Sequence, residues 1–224
     1  MKNVSKFKVE WSILIPLILF GIISIISIYC TRSLMGVEFQ NNYLKQSIWY
    51  IVGFIVAYFM MILGNKFLYN NAWWFYIIGV ISLALVLVFG HEVNNATCWF
   101  NFGPVSVQPS EFMKVFLIII LSKLINNFNE KYDNPTIKEE FYFIIKIFII
   151  VSIPSILTFI EPDTGAVMIY LIITIVMLFI GGLRKRWFLL LFASILLIVG
   201  GFSLIYIFKQ DLFINIFGSS LFYR

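Results

Sequence analysis

Seven stretches of nearly unbroken apolar residues set the pattern of this chain, each close to the roughly 20 residues that cross a bilayer core as helix. They fall at about 11–31, 45–63, 72–90, 108–125, 141–160, 165–183 and 187–208. The pattern predicts an all-α, polytopic transmembrane helix bundle of about seven spans, with residues 1–224 forming a single membrane domain. Lys2, Lys6 and Lys8 precede the first stretch as they would a secretion signal. Its apolar run from Trp11 to Tyr29 nonetheless exceeds the roughly 7–15 residues of a signal-peptide core, so it is read as a retained span. The polar breaks are mostly short. The longest inner one, 126–140, contains Pro135 and reads as a solvated cytoplasmic link. No internal repeat is evident, which leaves an inverted-repeat transporter without support.

Composition narrows the class. The 224 residues are 61% hydrophobic and 12% charged, against roughly 25% charged in a soluble domain. A soluble globular protein, a disordered chain and a nucleic-acid binder are excluded, and the excess of 16 Lys+Arg over 11 Asp+Glu needs a membrane explanation. Basic residues concentrate on cytoplasmic loops. With the N-terminus inside, Lys2, Lys6, Lys8, Lys66, Lys123, Lys131, Lys138, Arg184, Lys185 and Arg186 are cytoplasmic, against Arg32, Lys45, Lys209 and Arg224 outside. Cys30 and Cys98 are too few for a disulfide framework and are not spaced as a metal site. His91 is the sole histidine, which argues against His-based triads and multi-His metal centres.

Two outer-face segments break the apolar pattern: 94–114 and 161–165. In the first, Pro109 suits the first turn of the fourth span, where its missing N–H costs nothing. Glu111 and Lys114 follow three apart, on one helix face, and can pair. Ionisable groups at this depth usually face a bundle interior or a wet cavity. The plainer alternative is that Glu111 complements the positive helix start and Lys114 neutralises it. In the second, Asp163 suits the N-cap of the sixth span, and Tyr170, Thr174 and Gly181 continue a polar-to-small stripe below it. Free N–H groups at two such helix starts, with carboxylates and a lysine, suit a phosphate with a bridging cation. That chemistry points to a phosphorylated or pyrophosphorylated lipid.

Other positions carry less. Lys146 is read as snorkelling to the cytoplasmic face, Pro154 as kinking its span, and His91-Glu92 as a solvated loop pair. Trp99 is by default an interfacial anchor.

Trp99-Phe100-Asn101-Phe102-Gly103-Pro104, followed by Gln108-Pro109-Ser110-Glu111 and Lys114, resembles the W-I-x-x-G-P…Q-P-S-E-x-x-K signature of the RodA/FtsW/SpoVE (SEDS) family. Pro162-Asp163-Thr164-Gly165 resembles that family's P-D-x-G element, and Lys45-Gln46-Ser47-Ile48-Trp49 with Gly53 is similar to its second-span start. The RodA branch is preferred slightly over FtsW. The resemblance implies a multi-pass protein of the bacterial plasma membrane with about ten spans. It implies a peptidoglycan glycosyltransferase polymerising lipid II, an undecaprenyl-pyrophosphate-linked substrate, for cell wall elongation or division. A class B penicillin-binding protein is the implied partner, with membrane lipids and no nucleic acid. A lipid II flippase and a non-catalytic membrane partner of the penicillin-binding protein are the alternatives.

On this resemblance Trp99, Gln108, Ser110, Glu111 and Lys114 bind substrate. Lys114 meets the phosphates, Glu111 orients Lys114, and Trp99 packs on sugar or lipid. Asp163 is the catalytic candidate within the chain, assisting a base or holding a divalent cation (Mg or Mn). Two departures stand out. Cys98 occupies the position where the family usually has Arg. The chain also stops at Arg224, before the large outer loop that carries the family's best-supported catalytic aspartate, a residue that Asp163 does not replace. The expectation is therefore a front portion of such a protein.

Overall fold

The structure, a computed structural model, describes residues 10–34, 36, 40–93, 96–103 and 105–208. Lys2, Lys6, Lys8, Asn94, Asn95, Pro104, Lys209 and Arg224 lie outside the described residues. Among the described residues, six α-helices, a short 3-10 turn at Arg32–Leu34 and three short strands follow one another: α1 (Trp11–Thr31), α2 (Asn42–Phe89), β1 (His91–Val93), β2 (Ala96–Phe102), β3 (Val105–Val107), α3 (Pro109–Lys131), α4 (Ile137–Ile160), α5 (Thr164–Ile180) and α6 (Lys185–Phe208). Helix covers all or nearly all of each predicted apolar stretch. The second and third stretches share α2, which is interrupted at Gly64 (φ 73°, ψ 168°), a backbone conformation open to glycine. By length and apolarity α1, α2 and α4 suffice to cross a membrane, and α5 is a shorter apolar helix.

The chain forms two compact units, residues 1–67 and 68–224. In the first, α1 meets the front half of α2 where Gly21 is buried. A Cβ at Gly21 would lie 3.5 Å from the Tyr50 ring, and Tyr29 packs edge-on against Tyr43 at 5.3 Å. Most other side chains of this unit are exposed and strongly apolar, as expected of surfaces that face lipid.

The second unit holds the core, and α3 is its axis. Met113, Leu117, Ile120, Leu121 and Leu124 are buried along one face of α3, at the spacing of a helix that presents a single apolar stripe. Phe143, Ile147, Ile150 and Val151 of α4 and Ala166, Tyr170 and Leu178 of α5 complete it. Gly79 of α2 admits close approach: a Cβ there would fall 2.6 Å from Met113 Sδ and 2.8 Å from Phe116, the small-residue contact of packed membrane helices. Pro154 sits inside α4 and is buried. Because proline has no N–H, the carbonyl four residues earlier is released from the helix. That carbonyl, of Ile150, accepts the Tyr76 hydroxyl at 2.8 Å, so the backbone group is satisfied inside an apolar core.

Two expectations change. The polar stretch 126–140 is not a long link: α3 runs on to Lys131 and α4 starts at Ile137. Asn126 bonds Glu130 four residues on at 2.9 Å, and a Thr136–Glu139 capping box opens α4, so polar residues here extend helices rather than interrupt them. His91-Glu92 is not loop but strand β1. The segment 91–107 is a three-stranded antiparallel sheet in the order β1-β2-β3. His91 opposes Trp99 and Phe102 opposes Val105. Gly103, at φ 68°, starts the tight loop between the latter two strands, where positive φ favours glycine.

At the other end of the bundle the buried Glu140 carboxylate accepts Trp187 Nε1 at 2.8 Å and pairs with Arg184 Nε at 3.1 Å and with Arg186. Arg184 also donates to the Pro135 carbonyl at 2.5 Å. This seam fastens the start of α6 to the start of α4. Helix α5 ends in a Schellman turn: Gly182 has φ 86°, and Leu183 N–H reaches Leu178 O at 3.2 Å, which satisfies a terminal carbonyl.

Candidate functional site

The two outer-face motifs meet where α3 and α5 begin. Gln108 is the N-cap residue of α3, with Pro109 in the first turn. Asp163 is the N-cap of α5, and its Oδ1 accepts Ala166 N–H at 3.0 Å, as the sequence predicts. Its other oxygen, Oδ2, accepts Gln108 Nε2 at 2.9 Å and Ser110 Oγ at 3.2 Å. One carboxylate thus caps its own helix and binds the neighbouring helix start. The buried Tyr170 reinforces the junction: its hydroxyl donates to Ser110 O at 3.0 Å and lies 3.4 Å from Thr158 Oγ1 of α4. Thr174, one turn below, donates to the Tyr170 carbonyl at 2.8 Å, so its hydroxyl is spent within α5.

Glu111 and Lys114 pair as expected, Lys114 Nζ to Glu111 Oε1 at 2.7 Å. The pair differs in accessibility: the Glu111 side chain is 58% exposed and that of Lys114 19%. Glu111 therefore faces outward from α3 with Lys114 largely covered beside it, while Gln108, Ser110 and Asp163 join α3 to α5. Trp99 is half-buried on β2 and has no hydrogen bond to the other five among the described residues. Its neighbour Cys98 is buried, and the thiol donates to Glu161 O at 3.0 Å. Burial, with Glu161 and Asp163 nearby, pushes that thiol up to about 11. Cys98 fills its place as a small, uncharged packing residue. Both cysteines are free thiols.

Sequence reasoning missed Glu161. It lies in the turn between α4 and α5, 0% exposed, and neither carboxylate oxygen has a hydrogen-bond partner among the described residues. Burial, with the Asp163 charge adding to it, pushes its carboxyl up to about 8, so at neutral pH it is mostly a neutral acid. The signal available was a second carboxylate two residues before Asp163, overshadowed by the better cap.

Asp163 caps the start of α5, and its bonds to α3 are with the Gln108 and Ser110 side chains rather than with the backbone N–H groups of that helix start. Among the described residues no three His, Cys, Asp or Glu side chains are grouped to hold a metal ion. Both Asp163 oxygens are taken by hydrogen-bond donors, and Glu111 is taken by Lys114.

Residues 8–217 match the family described as cell cycle protein, FtsW/RodA/SpoVE. Among curated proteins, the chain is 35% identical over 157 residues to a probable peptidoglycan glycosyltransferase FtsW of Taylorella equigenitalis, covering 69% of this chain and 41% of that protein. It is 26% identical to the protein of the same name from Thiomicrospira cyclica, over 80% of this chain and 45% of that one. The chain therefore spans less than half the length of these relatives. Among solved structures it resembles the Rod shape determining protein RodA of Thermus thermophilus, at 25% identity and TM-score 0.62, covering 88% of this chain and 61% of that one. It also resembles a chain of a peptidoglycan synthase complex that coordinates polymerization and crosslinking, at 26% identity and TM-score 0.59, covering 80% and 52%.

Proposed function

Because the chain belongs to the FtsW/RodA/SpoVE family of cell cycle proteins, we propose that it forms the front part of a membrane glycosyltransferase that polymerises lipid II into peptidoglycan strands. The observation that carries this reading is the junction at Asp163, which joins the Q-P-S-E-x-x-K helix to the P-D-x-G helix at one end of the bundle. The end of the bundle opposite to it carries Lys131, Lys138 and Arg184–Arg186, the basic side of a plasma-membrane protein.

In the reaction, a sugar hydroxyl attacks the anomeric carbon of a lipid-linked disaccharide. The bond to the lipid pyrophosphate breaks, and the hydroxyl proton passes to a carboxylate base. Lys114 supplies charge to the departing pyrophosphate, a preorganised electrostatic contribution. Glu111 fixes the Lys114 ammonium, and Trp99 offers a flat face to sugar or lipid. Gln108, Ser110 and Asp163 hold the two helix starts in register, so Asp163 acts first as a positioning residue. A class B penicillin-binding protein is the proposed partner, in keeping with the synthase complex among the structural relatives.

The experiment is conversion of radiolabelled lipid II by the full-length protein with its penicillin-binding protein partner. Polymer is the expected product. Translocation of fluorescent lipid II across liposomes without polymer would replace this reading with a flippase, and neither polymer nor translocation would leave only a binding partner.

A further inference from the structure

Two cavities open at the end of the bundle away from the Asp163 junction. One, about 290 Å³, borders Asp133 and Glu140, and Glu140 there belongs to the arginine seam. The other, about 300 Å³, lies between α3 and α4 and is lined by Leu124, Phe128, Lys131, Tyr142, Phe143 and Lys146 among others. It combines an apolar floor with two ammonium groups. Lys146 stands five residues past the start of the apolar stretch 141–160, about 8 Å along the axis at 1.5 Å per residue, on a helix apolar enough to span a membrane. It is exposed and has no ion-pair or hydrogen-bond partner among the described residues. A lysine there snorkels to the headgroup zone, where its charge meets water or an anion. Lys131, at the end of α3, lies over the Tyr132 ring at 4.9 Å.

Glu139 also borders the cavity, but its Oε2 is spent on the Thr136 N–H at 2.7 Å and the Thr136 hydroxyl at 2.8 Å. The balance is two cations against one carboxylate bound into the helix start, a net charge that matches one phosphodiester. An apolar protein helix laid in the groove would bury Lys146 without a counter-ion. A free anion would leave the exposed Tyr142 ring and the half-buried Phe128 uncovered. A molecule with one negative phosphate and acyl chains satisfies both halves.

We infer that the groove between α3 and α4 binds an anionic phospholipid of the cytoplasmic leaflet, its phosphate between Lys131 and Lys146 and its chains along Phe128 and Tyr142. Basic pockets between membrane helices on this side are suited to such headgroups. The site is independent of the lipid II reading, since it lies at the opposite end of the bundle.

Native mass spectrometry of the full chain in neutral detergent, with phosphatidylglycerol and phosphatidylcholine added in equal amounts, tests it. The wild-type protein should retain one phosphatidylglycerol in preference to phosphatidylcholine. Lys131→Met and Lys146→Met should each weaken that preference roughly fivefold, and together about thirtyfold, at the worth of one basic residue near an anionic headgroup. Lys138→Met, outside the groove, should leave it unchanged. The double variant Lys131→Arg/Lys146→Arg should retain it, which separates charge from folding. Equal retention of the two lipids by the wild-type protein, as when a protein helix fills the groove, overturns the inference. So does a preference that survives both methionine substitutions.

Discussion

Gln108 donates its Nε2 to Asp163 Oδ2 at 2.9 Å, so the N-cap residue of α3 is bonded to the N-cap residue of α5. Removing the carboxylate has two separable costs. Asp163→Ala loses the cap, worth about 0.5–2 kcal/mol, and strands the buried Ser110 hydroxyl, worth about 1–3 kcal/mol more. Asp163→Asn keeps a capping oxygen and should lose clearly less. Thermal unfolding in detergent measures both, and wild-type stability in Asp163→Ala would show that neither the cap nor the junction contributes.

Tyr76 and Pro154 make a second pair. Tyr76→Phe leaves the Ile150 carbonyl unpaired in the core, at a cost of about 1–3 kcal/mol. Pro154→Ala returns an N–H to that carbonyl within α4. In the Pro154→Ala background, Tyr76→Phe should cost markedly less. A double-mutant cycle on unfolding temperature reads the coupling, and strict additivity would contradict the assignment.

Glu161 makes stability depend on pH in a defined direction. Its carboxyl is raised in the folded chain from an ordinary value near 4.5 to about 8, so the folded state holds its proton more tightly. Below the ordinary value both states are protonated and nothing changes. As pH rises toward 8, the unfolded chain releases its proton while the folded chain retains it, and stability falls. Above 8 the loss is complete and constant. Glu161→Gln should remove this slope, so its advantage over the wild-type protein should grow from pH 5 to pH 8. Parallel melting-temperature profiles across that interval would refute the buried neutral acid.

Glu140→Ala should loosen the start of α6. The carboxylate is buried, but Arg184 and Arg186 remain 43% and 35% exposed. The cost should therefore fall below the roughly 3–5 kcal/mol of breaking a fully buried pair. Faster amide exchange around Trp187, with α3 unchanged, is the expected signature.

The helices were legible because lipid-spanning segments need about twenty apolar residues, and the first-turn Pro109 and the N-cap Asp163 follow from local rules. The Glu111–Lys114 pair was legible from i,i+3 spacing alone. The sheet was not foreseen, although Ala96–Phe102 is rich in aromatic residues and ends at Gly103: set among long apolar spans, it read only as a polar break. Glu140 escaped notice because Arg184–Arg186 was already explained by membrane sidedness, and its partner lies 44 residues earlier than Arg184. The joining of Gln108 to Asp163 spans 55 residues, and no periodicity reports a contact of that range.

The most direct test is the yield of glycan polymer from lipid II by the full-length protein carrying Lys114→Met or Glu111→Gln, with unfolding temperature measured alongside. Loss of polymer with unfolding temperature held near that of the wild-type protein is the predicted result, since Glu111 is largely exposed, a pair with an exposed partner contributes little to folding, and methionine preserves the apolar stem of the partly covered Lys114. Undiminished polymer from both variants would contradict the assignment of this helix start as the substrate-facing site.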